Sequence, residues 1–271
     1  MSDALREWLN LALRWFHVIA GIMWIGQTYL FNWMERTFTP PDNPETKPNI
    51  SGELWMVHGG GFYLVEKQKW PEIMPRALHW FKYEALFTWI SGFLLLAVVY
   101  WSSAPLLPYA SELPRWEGIL LSAGSLVGAL AVYRLIWFTP IGDNLALGAV
   151  LSWLAIVGST WALGKVFSDR SAFLHIGAMF GTIMVTNVWM TILPNQRKMM
   201  AITEAGGKPE QRLATISGRC SKHNTYMSVP LIFTMISNHF PFTYDTALAP
   251  WIMGGFVLVG WAAAKLIRDV L

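Results

Sequence analysis

Six histidines are the residues of this chain best suited to metal or redox chemistry, and five lie in or at the ends of long apolar segments. Those five are His17, His79, His175, His223 and His239. An ionisable side chain in a membrane span is costly, so its presence favours a functional role. Neutral imidazoles at matched depth in a helix bundle can ligate haem iron. We therefore expect haem b as a cofactor, with His17 and His175 as the first pair of iron ligands and His239 and His223 as further cofactor-binding candidates.

Glycines accompany both members of this pair. Gly21 lies about one helical turn after His17, and Gly177 and Gly181 lie close after His175. Residues without a side chain would let a flat macrocycle approach the backbone. The Gly-x-x-x-Gly spacing is equally typical of close helix packing, with each histidine bonded to a neighbouring carbonyl. At the level of sequence both interpretations stay open.

The single cysteine, Cys220, removes several kinds of site. It excludes a disulfide within the chain and a cysteine-bound iron–sulfur cluster, and no Cys-x-x-Cys-His motif for attaching c-type haem is present. Catalytic zinc needs three close ligands, and the histidines lack the i, i+4 spacing that usually supplies two of them. Haem remains the metal group that the residues favour.

Polar residues also gather at the other ends of the apolar segments. Arg134 precedes the end of the third segment, Asn187 the end of the fifth, and His79 and Glu84 open the second. Arg134 either extends harmlessly to the membrane surface or pairs with Glu84, a substrate anion or a haem propionate. An arginine fork, amides and aromatic rings together suit a small, planar, anionic heterocycle. A transporter's substrate site would use the same chemistry.

The composition indicates the elements that must position these residues. Of 271 residues, 54% are hydrophobic and only 14% are charged, where a soluble domain has about a quarter charged. Mean hydropathy is +0.38 and the net charge is +3. These values exclude a disordered protein, a collagen and a typical cytosolic enzyme, and they argue against a nucleic-acid partner. They predict a chain that is embedded in a lipid bilayer.

Seven segments are long and apolar enough to cross a bilayer, which takes ~20 residues. Each is predicted to be a helix, because open strands leave backbone groups unpaired in lipid. The predicted fold is therefore all-α, one transmembrane helix bundle over residues 1–271. The spans lie near residues 12–34, 80–101, 116–138, 144–166, 172–193, 224–240 and 249–268.

The first long loop contains a hairpin signal. Two runs of strand-forming residues, 53–58 and 62–66, flank Gly59, Gly60 and Gly61. Strand residues on both sides of a glycine turn predict a β-hairpin. We expect it on the cytoplasmic side, because fifteen of the twenty lysines and arginines fall on the side of the two long loops. The positive-inside rule then puts the N-terminus outside and the C-terminus in the cytoplasm.

Three strings carry a resemblance to a known family. They are WFHVIAGIMWIG at residues 15–26, WMVHGGGFY at 55–63 and HWFKYEALFTW at 79–89. The chain resembles, over essentially its whole length, the N-terminal membrane domain of the bacterial membrane-bound urate oxidases. Its opening helix is more loosely similar to small membrane protoporphyrinogen oxidases and copper-resistance proteins.

The resemblance implies oxidation of urate to 5-hydroxyisourate in purine degradation, in a bacterial inner membrane. Electrons would pass to cytochrome c or another acceptor at the outer face. Arg134 and Asn187 would hold the urate anion, and Glu84 or His79 would accept a proton. Family members carry a further span and a C-terminal cytochrome c domain, which this sequence lacks. We expect either a separate cytochrome or a longer parent protein.

Two other function classes are compatible with the residues. A haem- or porphyrin-handling membrane protein would bind haem without oxidising urate. A non-enzymatic transporter, or an accessory subunit of a respiratory complex, would show neither activity. The oligomeric state is not predicted.

Overall fold

The computed structural model describes residues 2–68, 79–102 and 106–269. Helices occupy all seven predicted spans. The helices are α1 Asp3–Thr37, α2 Tyr83–Leu95, α3 Arg115–Trp137, α4 Leu145–Leu163, α5 Asp169–Asn187, α6 Leu193–Glu204, α7 Gln211–Ser237 and α8 Ala249–Asp269. Two strands, β1 Ile50–His58 and β2 Gly61–Gln68, form one antiparallel sheet. The prediction of a helical fold with a small hairpin in the first long loop is confirmed.

Two helices continue through π-helical turns. α2 runs on through Leu96–Trp101, and α5 joins α6 through Val188–Ile192. A π-helical turn widens the backbone by one residue per turn and occurs often at functional sites. The second one follows Asn187 directly and so changes the direction of the side chains that come after it.

The hairpin turn depends on two glycines in the left-handed region. Gly59 has φ 58° and Gly60 has φ 82°, which is the requirement of a two-residue type I′ turn. The register pairs Trp55 with Leu64. A salt bridge from Lys67 to Glu35 ties the hairpin to the end of α1.

α5 is the central helix of the bundle. In its most apolar stretch 61% of the residues are buried, against 28% or less in the other candidate spans. It packs against α2, α3, α4 and α7. At Gly177 a Cβ atom would lie 2.1 Å from Thr234 Oγ1 of α7, so this glycine is required for close helix packing. One turn later, Gly181 leaves 3.7 Å to its nearest neighbour.

α7 departs most from its prediction. It begins at Gln211, thirteen residues before the predicted span, and is not among the six described helices that are long and apolar enough to cross a membrane. The reason is its inward face, which carries polar side chains such as Asn224, Thr225 and Ser228 that are all buried inside the bundle. The mean hydropathy of the helix includes these inward polar residues together with the apolar outward ones. It therefore falls below the value expected of a membrane span.

Candidate functional site

Amide side chains join α5 and α7 at the centre of the bundle. Asn187 is fully buried, and its Nδ2 donates to Tyr133 Oη at 2.9 Å and to Asn224 Oδ1 at 3.0 Å. Asn224 Nδ2 in turn donates to the backbone oxygen of Met184 at 3.0 Å. Buried polar groups that are hydrogen-bonded in this way fix one arrangement of the three helices α3, α5 and α7.

Tyr133 extends this network to a histidine. Its oxygen accepts from Asn187 and lies 2.9 Å from His223 Nδ1, to which its O–H can donate. A neutral His223 that accepts this hydrogen bond at Nδ1 carries its proton on Nε2. The imidazole also packs on the Trp137 ring, with centroids 4.2 Å apart. The tyrosine and histidine thus form an oriented, hydrogen-bonded pair.

Two guanidinium groups lie beside one aromatic ring next to this network. Arg134 is 4.3 Å and Arg219 5.7 Å from the centre of the Phe138 ring. Arg134 also donates to Thr191 Oγ1 at 3.0 Å, across the π-helical turn of α5. Within the described residues Arg134 contacts no carboxylate, and Arg219 reaches only exposed Asp143, at 3.9 Å. Positive charge that lacks acidic partners attracts an anion.

Two buried polar atoms of this cluster have no hydrogen-bond partner among the described residues. They are Asn187 Oδ1, an acceptor, and Arg219 Nε, a donor. A buried group without a partner costs about 1–3 kcal/mol. A ligand that offers both a donor and an acceptor would remove that cost.

A cavity of about 990 Å³ opens beside the cluster. Its walls come from α3, α4, α5 and α7, with Trp261 of α8. One end is polar and is lined by Tyr133, Arg219, Lys222 and His223, and the rest is mostly apolar. The site therefore has a cationic, hydrogen-bonding end and an apolar body, which is the usual composition of a small-molecule site.

The predicted catalytic residues divide into two groups. Arg134 and Asn187 lie in the same cluster, where they contact Thr191 and Tyr133. Glu84 and His79, the predicted proton acceptors, contact none of these residues. Glu84 is at the start of α2 and its buried Oε2 has no partner among the described residues, while exposed His79 packs its ring on Phe81 at 4.5 Å. Their role stays a prediction.

The predicted iron ligand His175 is fully buried and has both ring nitrogens engaged. Nδ1 donates to the backbone oxygen of Ser171 at 2.7 Å, and Nε2 accepts from Ser122 Oγ at 2.7 Å. The Phe167 ring stacks on it at 4.7 Å. No lone pair of this imidazole is open, so His175 as arranged does not fit an iron ligand.

His17 has a different surrounding. Its Nδ1 donates to the backbone oxygen of Thr88 at 2.9 Å and lies 3.0 Å from Ser91 Oγ. Because the proton is on Nδ1, Nε2 retains its lone pair. That arrangement is typical of metal-ligating histidines. However, its partners are on α2, whereas those of His175 are on α3 and α5. His239 is exposed beyond the end of α7.

Within the described ranges no three His, Cys, Asp or Glu side chains gather as metal ligands. His17 and His175 share no hydrogen-bond partner among the described residues. Haem binding stays a prediction.

Sequence reasoning missed two residues of the cluster, Tyr133 and Arg219. Arg219 lies four residues before His223 on α7, so both share one helix face. If the predicted helix had begun before residue 219, this spacing would have indicated that Arg219 lies beside His223. Tyr133 precedes Arg134 directly and gave no separate signal.

The family model described as Urate oxidase N-terminal matches residues 3–270, nearly the whole chain. No curated protein and no solved structure matches the chain.

Proposed function

The chain belongs to the urate oxidase N-terminal family, and on this basis we propose that it is a membrane-bound enzyme that oxidises urate to 5-hydroxyisourate. The observation that carries the proposal is the cluster around Asn187. It combines two arginines that lack buried carboxylate partners with an unsatisfied donor and acceptor. Urate is a planar anion with N–H and C=O groups along its edges, and it matches that set.

In this proposal Arg134 and Arg219 bind the urate anion beside Phe138. Charge-assisted hydrogen bonds from arginine are about twice as strong as neutral ones. Asn187 Oδ1 accepts from a urate N–H, which gives the buried oxygen its missing partner. The cluster therefore fixes both the charge and the orientation of the substrate.

The chemistry needs an electron acceptor and a proton route. The urate monoanion and one water give 5-hydroxyisourate, one proton and two electrons, with the new C–O bond at C5. Tyr133 and His223 form the hydrogen-bonded pair that can receive and pass on a proton at this site. The electrons go on to a cytochrome at the outer face. Haem, where bound, would supply one-electron transfer, and of the first predicted pair His17 has an open ring nitrogen whereas His175 does not.

The proposed setting is a bacterial inner membrane. Six described helices are long and apolar enough to cross it. α7 would be the seventh span, with its polar face turned inward. The lysine and arginine distribution supports loops in the cytoplasm and an N-terminus outside. Urate would then enter from the cytoplasmic end, where the basic residues lie.

A direct test uses the protein purified in detergent. Urate is added with ferricyanide or cytochrome c as acceptor, and urate loss, acceptor reduction and the product are followed together. The proposal expects two equivalents of one-electron acceptor reduced per urate and 5-hydroxyisourate as the first product. A visible spectrum of the same sample reports haem. Haem binding without urate turnover would support a haem-handling protein instead.

A further inference from the structure

We propose that the apolar part of the cavity binds an isoprenoid quinone, and that this quinone is the first oxidant of urate. The inference rests on the proposed function, because it names the partner of the same site. The electrons would then reach a cytochrome through quinol. Four observations carry it: the size of the cavity, its length, its opening and the groups at its polar end.

The cavity is too large for urate alone. A water molecule takes about 30 Å³ in the liquid, so a ligand of twelve non-hydrogen atoms fills at most roughly 360 Å³. The cavity has about 990 Å³, so a urate held at its Arg219 end leaves well over half of it empty; Arg134 and Asn187 lie beside the cavity and do not line it. The empty part is apolar, and an apolar amphiphile is the ligand that it suits.

The cavity is also long. On α4 its lining extends over the 19 residues from Leu145 to Leu163, a length of ~27 Å at a rise of 1.5 Å per residue. That is close to the ~30 Å hydrocarbon thickness of a bilayer. Small residues such as Ala149, Ala155 and Ala162 form this wall and leave a crevice between α3 and α4. A compact heterocycle would fill only a small part of this length, whereas a flexible isoprenoid tail could extend along it.

The crevice opens sideways. Several lining residues are exposed on the outside of the bundle, among them Gly128 and Val132 on α3 and Gly158 and Ala162 on α4. These positions belong to segments predicted to lie in the membrane, so the opening would face lipid. A ligand dissolved in the bilayer can enter there without crossing water.

The polar end fits a quinone head. When His223 Nδ1 accepts from Tyr133, its Nε2–H can donate to a quinone carbonyl. Arg219 and Lys222 line the same end. Their positive charge would be balanced by the urate anion, because the quinone carries no charge. The urate monoanion, water, one quinone and one proton give 5-hydroxyisourate and one quinol. Two electrons leave urate as the C–O bond forms, and two protons end on the quinol oxygens.

Two glycines of α3 provide a matched pair of variants. Gly128 lines the crevice and Gly124 does not, and at both positions an added Cβ meets nothing within 4 Å. Gly128→Phe should fill the crevice, and Gly124→Phe places the same side chain one turn away. The full-length protein is purified, its organic extract is analysed for quinone and phospholipid, and urate oxidation is measured with decylubiquinone and with ferricyanide.

We expect co-purified quinone, reduction of one decylubiquinone per urate, and at least a tenfold lower ratio of quinone-linked to ferricyanide-linked activity in Gly128→Phe than in Gly124→Phe. If ferricyanide supports urate oxidation but decylubiquinone is neither bound nor reduced, the inference is overturned and the proposed function stands. Phospholipid as the only extracted amphiphile overturns it in the same way. Absence of urate oxidation with every acceptor overturns the proposed function, and with it the quinone's role as oxidant.

Discussion

Replacing Arg134 with methionine tests the proposed anion site with the least change in shape. Methionine keeps an unbranched, flexible side chain at this position but removes the charge and all five donors. Arg134 makes one hydrogen bond to Thr191 and packs on Phe138, and no carboxylate among the described residues balances it. Its charge is therefore free to act on a bound anion.

The expected effect follows from these contacts. A hydrogen bond to a charged partner contributes about 1.5–3 kcal/mol, so kcat/KM for urate should fall by about 10- to 150-fold. The fold itself should lose less, roughly 1–2 kcal/mol, for one neutral hydrogen bond and one cation–π contact. That loss is small against the ~5–15 kcal/mol stability of a folded domain. The variant should thus remain folded while binding urate poorly.

The assay is steady-state urate oxidation over a range of urate concentrations, with thermal unfolding in the same detergent. Arg134→Lys keeps the positive charge but loses the paired donors of the guanidinium group. Its kcat/KM for urate should therefore lie between those of the wild type and Arg134→Met. Arg197→Met, an exposed site on α6, serves as the matched control and should behave as wild type. If Arg134→Met lowers the melting temperature but leaves kcat and KM for urate unchanged, Arg134 is structural and the reasoning fails.

Two further changes test the packing and the network. Asn187→Leu removes the buried donor shared by Tyr133 and Asn224 and should destabilise the protein by about 2–4 kcal/mol, measured by unfolding in detergent; an unchanged melting temperature would contradict the network. Gly177→Ala forces a Cβ against α7 and should lower the free energy of unfolding by about 1–3 kcal/mol. Gly181→Ala has room for a methyl group and should leave the stability unchanged or raise it. Equal effects at both glycines would show that α5 and α7 do not pack as described.

A helix in each of the seven predicted spans could be expected from hydropathy, because an apolar run in a bilayer must pair its own backbone groups. The hairpin could be predicted from its glycines, and Gly59 and Gly60 do take the positive φ values that the turn needs. The start of α7 could not. Its polar inward face has meaning only when the neighbours α5 and α8 are known, and a hydropathy average contains no such information.

The site shows the same limit. Arg134 and Asn187 were predicted as one group, and they do share a cluster, because both fall near the ends of apolar spans on one side. Depth does not show which way a side chain points around its helix. His17 and His175 were matched in predicted depth, yet they bond to different neighbours. Glu84 was predicted in the cluster for the same reason and contacts none of its residues.

The most direct measurement of the central claim is the stoichiometry of urate oxidation by the purified protein. The account predicts that each urate consumed reduces two equivalents of ferricyanide or cytochrome c and appears as 5-hydroxyisourate, and that Arg134→Met and Asn187→Leu abolish most of this turnover. Purified, folded protein that leaves urate unchanged with every acceptor offered would contradict it.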